Sequence, residues 1–446
     1  MKITNAWICR IKNNVVEPLF GDIDIADGKI VGLDEKLFDP NKVFCETDQE
    51  KNVINAKGCV VTIPNINFHD HFYSRLAKGL PITGPMDNFH NILKSLWWNV
   101  DTSLDRKMII ASAQLGILDS IKNGVTYIFD HHSSPQTTNG SLQAIANVFN
   151  DLGINGVICF ETTDRNGHQL AEEGINENEN FLENYVTDNV KGLLGLHASF
   201  TVSDDTLQMA SRIVGENDLG IHIHLCEDKI DRAQSEKQYG LLPVERLKKF
   251  NLLNEKSILS HGIHLTKSDY STIAEYGCAI AFNPESNMNN SVGLPNFNII
   301  PDEIPILMGT DGMNSNPIKS LKQLFLFLRH SGKSFEESFT KIQNNYFNQL
   351  MYVKRFFPDF TGLNTGDRAD LIIWDYVPPT PFSKENFWGH FLYGIVESRI
   401  KDVLHNGIIL LKDFELELND DIYTSNIVKE GHRFFNKFGE SSLHTK

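Results

Sequence analysis

Eight short apolar runs, most of them separated by stretches with helical periodicity, determine what this chain of 446 residues can fold into. Apolar runs of this length are typical of buried strands, and helices between strands are typical of parallel sheets. Eight such units over about 250 residues are the number that closes a (β/α)8 barrel, which places the chain in the α/β class. The runs cover residues 60–63, 126–129, 156–160, 193–196, 221–224, 257–260, 279–282 and 304–308.

The two ends of the chain differ in pattern from its middle. Residues 1–60 contain short alternating stretches with an Asp27-Gly28 turn, and a similar texture with an Asn406-Gly407 turn returns after residue 362. Such turns are typical of β-hairpins. We therefore expect 1–60 and 363–446 to build one small β domain together, and 61–362 to form the barrel.

Charge and composition exclude several classes of partner. Asp and Glu number 57 against 41 Lys and Arg, so the net charge is −16. An acidic surface repels phosphate backbones and anionic lipid headgroups, so we expect neither nucleic acid nor membrane as a partner. No apolar run approaches the roughly 18 residues of a spanning helix. Six scattered cysteines without a CxxC pair favour a reducing compartment. These features predict a soluble cytoplasmic protein.

Polar side chains follow nearly every apolar run. In a barrel the carboxyl ends of the strands meet at one face, where active sites are built. We therefore expect these side chains to converge there: His69, His71, Asp130, His131, His132, Glu161, Arg165, His197, Ser199, His224, Glu227, His261, Asn283, Ser286, Asn287 and Asp311.

Two histidine motifs indicate a metal site. His69 and His71 are two positions apart at the end of the first strand, so both imidazoles can point to one ion. His224 ends the fifth strand and Glu227 follows it, which suits a metal-held water beside a carboxylate that shuttles protons. Each motif alone also fits ordinary core or surface residues.

His261 and Asp311 add two further strand ends to this set. Each alone fits a loop histidine or a turn aspartate equally well. A carboxylate on a glycine-flanked strand end can also bind a metal and accept a proton from its water. Together with the two histidine motifs, they favour a metal site.

Six motifs in order resemble the amidohydrolase superfamily, and within it the branch of heterocycle deaminases and triazine hydrolases. The motifs are VTIPNINFHDHFYSRLAKGL, LHASFT, HIHLCE, SHGIHL, FNPESNMNN and GTDGMNSNP, and the resemblance covers essentially the whole chain. It implies a distorted (β/α)8 TIM barrel with a β-sandwich formed by the N- and C-terminal segments. One departure is Pro64-Asn65, where the family usually has Pro-Gly.

The resemblance also implies one divalent metal ion. A second branch of the superfamily holds two metals, bridged by a modified lysine at the end of strand four. Here the lysine of that strand, Lys191, stands at its beginning, roughly 16 Å from its end at 3.3 Å per residue, so a single metal is expected. Imidazoles with one carboxylate suit Zn²⁺, with Fe²⁺ or Mn²⁺ as alternatives. The implied ligands are His69, His71, His224 and Asp311.

The roles of the remaining residues follow from the same resemblance. It implies that Glu227 shuttles a proton to a ring nitrogen, that His261 orients the attacking water and that Asp311 takes the proton of that water. His197 is expected to contact the substrate. Further candidate substrate contacts are Ser199, Trp97 and Arg165.

Alternatives stay open for several of these residues. Trp97 and Trp98 suit stacking on a flat ring, or packing of a helix on the barrel rim. Arg165 suits an anionic group or a loop cap. His131 and His132 are expected in the pocket wall or behind the ligands.

The sequence thus predicts a metal-dependent aminohydrolase that releases ammonia from an exocyclic amine of a small, purine-like heterocycle. One alternative is a dechlorinase or cyclic-amide hydrolase with the same site. Another is a non-catalytic binding protein on the same fold, although such proteins typically lose ligands that this chain keeps. A homodimer is compatible with this interpretation.

Overall fold

The computed structural model describes residues 1–43, 52–360, 362–418 and 420–444. Within these ranges the strands are β1 (Lys2–Lys12), β2 (Val15–Ala26), β3 (Lys29–Glu35), β4 (Val53–Asn55), β5 (Val60–Thr62), β6 (Asn65–Asp70), β7 (Val125–His132), β8 (Asn155–Phe160), β9 (Val190–Gly192), β10 (Leu194–Ala198), β11 (Ile221–Leu225), β12 (Ile258–His261), β13 (Ala279–Phe282), β14 (Ile306–Met308), β15 (Leu371–Trp374), β16 (Ile400–His405), β17 (Ile408–Lys412) and β18 (Glu415–Leu416).

The α-helices are α1 (Pro40–Val43), α2 (Phe89–Ile92), α3 (Trp98–Ser103), α4 (Arg106–Lys122), α5 (Ser141–Leu152), α6 (His168–Asn184), α7 (Asp204–Asn217), α8 (Lys229–Tyr239), α9 (Pro243–Lys249), α10 (Lys267–Glu275), α11 (Pro284–Asn289), α12 (Pro317–His330), α13 (Phe335–Val353), α14 (Phe387–Tyr393) and α15 (Asp420–His444). A π-helical turn covers Leu93–Trp97, and 3-10 turns cover Phe72–Ala77, Asp164–Asn166, Ser199–Thr201 and Ile395–Glu397.

The two ends of the chain build one sheet of nine strands. Its order is β18-β17-β16-β15-β5-β1-β2-β3, with β4 paired to β1. Strand β5 runs parallel to β1 and antiparallel to β15, so it joins the N-terminal and C-terminal segments. The buried indole of Trp374 donates a hydrogen bond of 2.9 Å to Thr62 across this joint. The sheet is the composite β structure predicted from the sequence.

The run at 60–63, which we predicted as the first barrel strand, contributes β5 to this sheet instead. Pro64 follows it, and proline has no N–H to donate to a strand ladder. The chain therefore starts a new strand, β6, at Asn65. The prediction was wrong because a short apolar run indicates a buried strand without indicating which sheet it joins.

The strands β6 to β14 supply the eight positions of the barrel. They form two parallel sheets with the orders β6-β7-β8-β9 and β10-β11-β12-β13-β14. Leu193 separates β9 from β10, which together are the predicted fourth strand. Isolated bridges from Asp70 to Asp311 and from Thr162 to Leu196 link the two sheets at both edges. All residues of β7 and β8 are buried, as expected for parallel strands covered by helices.

Helix ends follow local signals in the sequence. Ser203 caps α7 by accepting from the N–H of Thr206, and Thr266 with Asp269 forms a capping box at the start of α10. Gly153 ends α5 with a φ of 69°, in the left-handed region that glycine adopts without strain. These signals set the starts of α7 and α10 and the end of α5.

The chain divides into two compact units. One comprises Met1–Ile66, Asp119–Thr126 and Leu324–Asp420, and the other comprises Asn67–Leu118, Tyr127–Gln323 and Asp421–Lys446. The domain limits that we predicted, 60/61 and 362/363, stay a prediction, since compactness alone does not define a unit that folds by itself.

The described cysteines are buried, and they are free, as the scattered spacing predicts. No disulfide joins the cysteines that the structure describes, and Cys45 lies outside the described residues. Those described are all buried: Cys9, Cys59, Cys159, Cys226 and Cys278. Across the described ranges, no helix is both long enough and apolar enough to cross a membrane.

Arg246 ties the loop after β10 to α9, and we expect its loss to destabilise the protein. Its buried guanidinium donates to the carbonyl oxygens of Ser199 and Val202 and to Asp204. Arg246→Met should lower the free energy of unfolding by about 3 kcal/mol, because these acceptors lose their donor. Arg212→Met, at an exposed surface ion pair, should cost less than about 1 kcal/mol. Denaturant unfolding followed by circular dichroism measures both, and equal midpoints for the two variants would contradict the expectation.

Candidate active site

The strand ends of the barrel bring the predicted chemical residues to one place. His69 lies near the end of β6 and His71 directly follows that strand, while His224 lies in β11. His261 ends β12, and Asp311 follows β14. His261 and Asp311 have φ values of 75° and 54°, so the backbone turns sharply from strand to loop at both residues. This turn aims the two side chains back over the strand ends.

The four predicted metal ligands lie close to one another. The Nε2 atom of His71 is 3.0 Å from Nε2 of His224 and 3.0 Å from Oδ1 of Asp311. The Nε2 atom of His69 is 3.8 Å from the same Asp311 oxygen. All four side chains are buried. The structure thus places Asp311 beside His69 and His71, and it places His224 beside His71.

Hydrogen bonds from the Nδ1 atoms of two ligand histidines decide that their Nε2 atoms face the other ligands. His71 donates from Nδ1 to the carbonyl of His131 at 2.6 Å, and His224 donates from Nδ1 to the carbonyl of His197 at 2.8 Å. A carbonyl only accepts, so in the neutral rings both Nε2 atoms carry lone pairs. The buried Nε2 of His69 has no hydrogen-bond partner. Several acceptors that face one another without a donor fit a cation between them.

The same geometry sets strong electrostatic shifts. Burial alone would lower the pKa of His71, but its hydrogen bond with Asp311 and the charge of that carboxylate outweigh burial and raise the pKa to about 9. Burial would raise the pKa of Asp311, but the hydrogen bond and charge of His71 hold it well below its usual range. The pair attracts positive charge, which either a proton or a divalent cation can supply.

Glu227 and His261 stand beside the ligands. His261 donates from Nδ1 to Asn287 at 2.8 Å, which leaves its Nε2 lone pair facing the site. That Nε2 is 3.5 Å from Glu227 and 3.7 Å from Asp311. Burial raises the pKa of Glu227 to about 7. A carboxyl group with this pKa can both give and take a proton near neutral pH.

Glu161 is a site residue to which we assigned no role from the sequence. It follows β8 and is buried, with Oε1 3.3 Å from Nε2 of His197 and Oε2 3.6 Å from Nδ1 of His131. Burial raises its pKa to about 8, against the opposing charges of His71 and Arg165. Its position directly after a strand was the available signal, since the other strand ends carry the site.

His131 and His222 form a layer beneath the ligands. His222 shares a hydrogen bond of 2.9 Å with Nδ1 of His69, and the ring of His131 stacks on that of His222 at 4.6 Å. His131 lies within reach of His69, His71 and His224, and neither of its ring nitrogens has a hydrogen-bond partner. His132 is bound to Ser134 at 2.9 Å. The expectation that His131 and His132 lie in the pocket wall or behind the ligands stays a prediction.

A cavity opens above these groups. Three of the predicted substrate contacts line it, namely His197, Trp97 and Arg165, and Trp98 lines it as well. Ser199 does not line it: its hydroxyl donates to Asp231 on α8. Substrate contact by these residues remains a prediction, and for Ser199 the geometry gives it no support.

A barrel with imidazoles and carboxylates gathered at its carboxyl face is the architecture of a hydrolase with a divalent-metal site. The model of the amidohydrolase family matches residues 60–343, and the chain belongs to this family. It is 25% identical over 394 residues to a 5'-deoxyadenosine deaminase of Methanococcus maripaludis, covering 86% of this chain and 90% of the relative. It is 30% identical over 303 residues to a 5-methylthioadenosine/S-adenosylhomocysteine deaminase of Pyrococcus horikoshii, covering 67% and 68%.

The fold comparison agrees with the predicted architecture. The crystal structure of atrazine chlorohydrolase from Arthrobacter aurescens complexed with zinc has a TM-score of 0.77 to this chain, at 17% identity, covering 96% of this chain and 99% of that one. The fold class predicted from the sequence, a distorted (β/α)8 barrel with a small β-sandwich from both chain ends, is confirmed, and the strands of the two ends pair into one continuous sheet.

Proposed function

We propose that this protein is an aminohydrolase that releases ammonia from the exocyclic amine of a small nitrogen heterocycle. The observation that carries the proposal is the position of Glu227 beside the four proposed metal ligands. Its carboxyl group is buried, 3.5 Å from His261, and burial raises its pKa to about 7. The deaminase names of the curated relatives support the same class of reaction. Hydrolysis of a carbon–nitrogen bond is thus the chemistry of this family member.

The proposed cofactor is one Zn²⁺ ion held by His69, His71, His224 and Asp311. Zinc accepts both imidazole and carboxylate ligands, which matches the chemistry of this donor set. When bound, such an ion lowers the pKa of a water molecule towards about 7, so that hydroxide is available at neutral pH.

The protein side chains then divide the proton transfers among them. Asp311 accepts a proton from the attacking water, and the lone pair of His261 holds that water in place. Glu227 donates a proton to the ring nitrogen beside the carbon under attack, which makes that carbon more electrophilic. After water has added, the deprotonated Glu227 takes the proton of the new hydroxyl group and relays it to the amine, so that the carbonyl forms, the carbon–nitrogen bond breaks and ammonia leaves. The water proton held by Asp311 then returns Glu227 to its protonated state.

The experiment is a parallel assay of three products. Zinc-loaded protein is incubated with amino-purines, amino-pyrimidines, pterins, chlorinated triazines and cyclic amides, and ammonia, chloride and ring-opened acid are measured. Ammonia from amino heterocycles alone is the expected result. Chloride or ring-opened acid without ammonia would move the protein to the dechlorinase or cyclic-amidase class. Binding without any product would favour the non-catalytic alternative.

A further inference from the structure

One wall of the cavity presents a hydrogen-bond acceptor next to a donor. Oε1 of Glu161 lies 4.0 Å from Nη1 of Arg165, and both side chains line the cavity. Neither residue has a role in the proposed proton transfers. Because both side chains line the cavity, they are available to bind a substrate.

Arg165 is held rigidly and its charge is already balanced. Its Nη2 is paired with the buried carboxylate of Asp101, and its guanidinium lies over the ring of Trp98 at 5.2 Å. Asp101 in turn accepts a hydrogen bond from Ser133 at 3.1 Å. A guanidinium fixed in this way can donate from its other nitrogen in a defined direction, but it offers little net attraction to an anion.

Glu161 complements that donor. Its Oε1 lies 3.3 Å from Nε2 of His197, whereas its buried Oε2 faces Nδ1 of His131 at 3.6 Å. A carboxyl group offers acceptor oxygens in either protonation state. With Asp228 and Asp231 also lining the cavity, carboxylates outnumber the one arginine, so the wall disfavours phosphate or carboxylate substituents.

We propose that Glu161 and Arg165 together recognise a lactam edge, in which a ring N–H stands next to a ring carbonyl. The N–H donates to Glu161 and the carbonyl accepts from Arg165. The inference rests on the proposed function and narrows it: the substrate is an uncharged amino heterocycle with a lactam edge, and 5'-phosphorylated nucleotides are rejected.

Two matched pairs of purines isolate the contribution of the lactam edge. Guanine differs from 2-aminopurine, and isoguanine from adenine, only by the ring carbonyl and its neighbouring N–H. In the zinc-loaded enzyme we expect kcat/KM for the lactam member of at least one pair to exceed that of its partner by about 100-fold, because a site built to hydrogen-bond an edge rejects the analogue that lacks it. Equal or reversed rates in both pairs would overturn the inference and leave the proposed function standing.

Variants assign the preference to this wall. Glu161→Leu, which keeps the size but removes the acceptor, should lower the lactam preference at least tenfold while zinc content stays unchanged. Glu216→Leu is the matched control, since Glu216 is exposed and paired with Arg212 on the surface, and it should keep the full preference. An unchanged preference in Glu161→Leu would contradict the assignment.

A binding measurement separates this inference from the reaction. Calorimetry with zinc-loaded Glu227→Gln should show tighter binding of the lactam members than of their partners, whether or not ammonia is ever released. If no amino heterocycle yields ammonia with the native enzyme, the proposed function fails, and the binding ratio still decides the inference. Binding of both members with equal affinity would overturn it.

Discussion

Glu227→Gln is expected to lower kcat by about 1,000-fold while the metal content stays at the native level. The amide has nearly the shape of the carboxyl group and can keep the hydrogen bond with Asn290 at 3.3 Å. It cannot donate an acidic proton to the ring nitrogen or relay one to the departing amine. Steady-state ammonia release and elemental analysis of the same preparation measure the two quantities.

A matched control is available on the neighbouring helix. Glu285 on α11 accepts a hydrogen bond of 2.9 Å from Asn314 and does not line the cavity. Glu285→Gln makes the same chemical change away from the cavity. Its kcat should therefore stay within about threefold of the native value, a change in activation free energy of less than about 1 kcal/mol. Native turnover in Glu227→Gln would show that another group moves the proton.

His224→Ala should lose the metal and the activity together. Its Nε2 faces that of His71 at 3.0 Å, and its orientation is fixed by the carbonyl of His197. With only three of the four proposed ligands left, the site binds the metal more weakly. Without the ion, the water does not ionise at neutral pH. Elemental analysis after dialysis should give one zinc per native chain and close to none in the variant.

His264→Ala tests whether that loss is specific. His264 is half-buried and bonds through Nε2 to the carbonyl of Val292, away from the ligands. This variant should retain one metal and most of the activity. Two metals per native chain, or full metal occupancy in His224→Ala, would rule out the proposed ligand set.

The sequence could place the ligands on strand ends because strand periodicity and chain order decide that much. His69 and His71 are two positions apart, so a strand conformation directs them to one side regardless of the rest of the fold. The ring orientations of His71 and His224 depend on the carbonyl groups of His131 and His197, which lie 60 and 27 residues away from the rings they fix. No local pattern encodes such contacts.

Three other features could not be predicted from the sequence because they depend on contacts between distant segments. Arg165 was open between an anion site and a loop cap because its partner, Asp101, lies 64 residues away in sequence. The run at 60–63 reads as a barrel strand because β5 is fully buried in the terminal sheet, as a barrel strand would be. Glu161 received no role because a lone carboxylate at a strand end becomes informative only when its neighbours are known.

The left-handed backbone at His261 and Asp311, together with Cys226 at a φ of 49°, carries a consequence for how this protein can change. Each such residue costs on the order of 1 kcal/mol that glycine would not. Glycine at His261 or Asp311 would relax the backbone and delete the functional group in one step. The relief of backbone strain would be offset by the loss of the buried hydrogen bonds that His261 makes with Asn287 and that Asp311 makes with Ser286, so these positions balance strain in the backbone against contacts of the side chain.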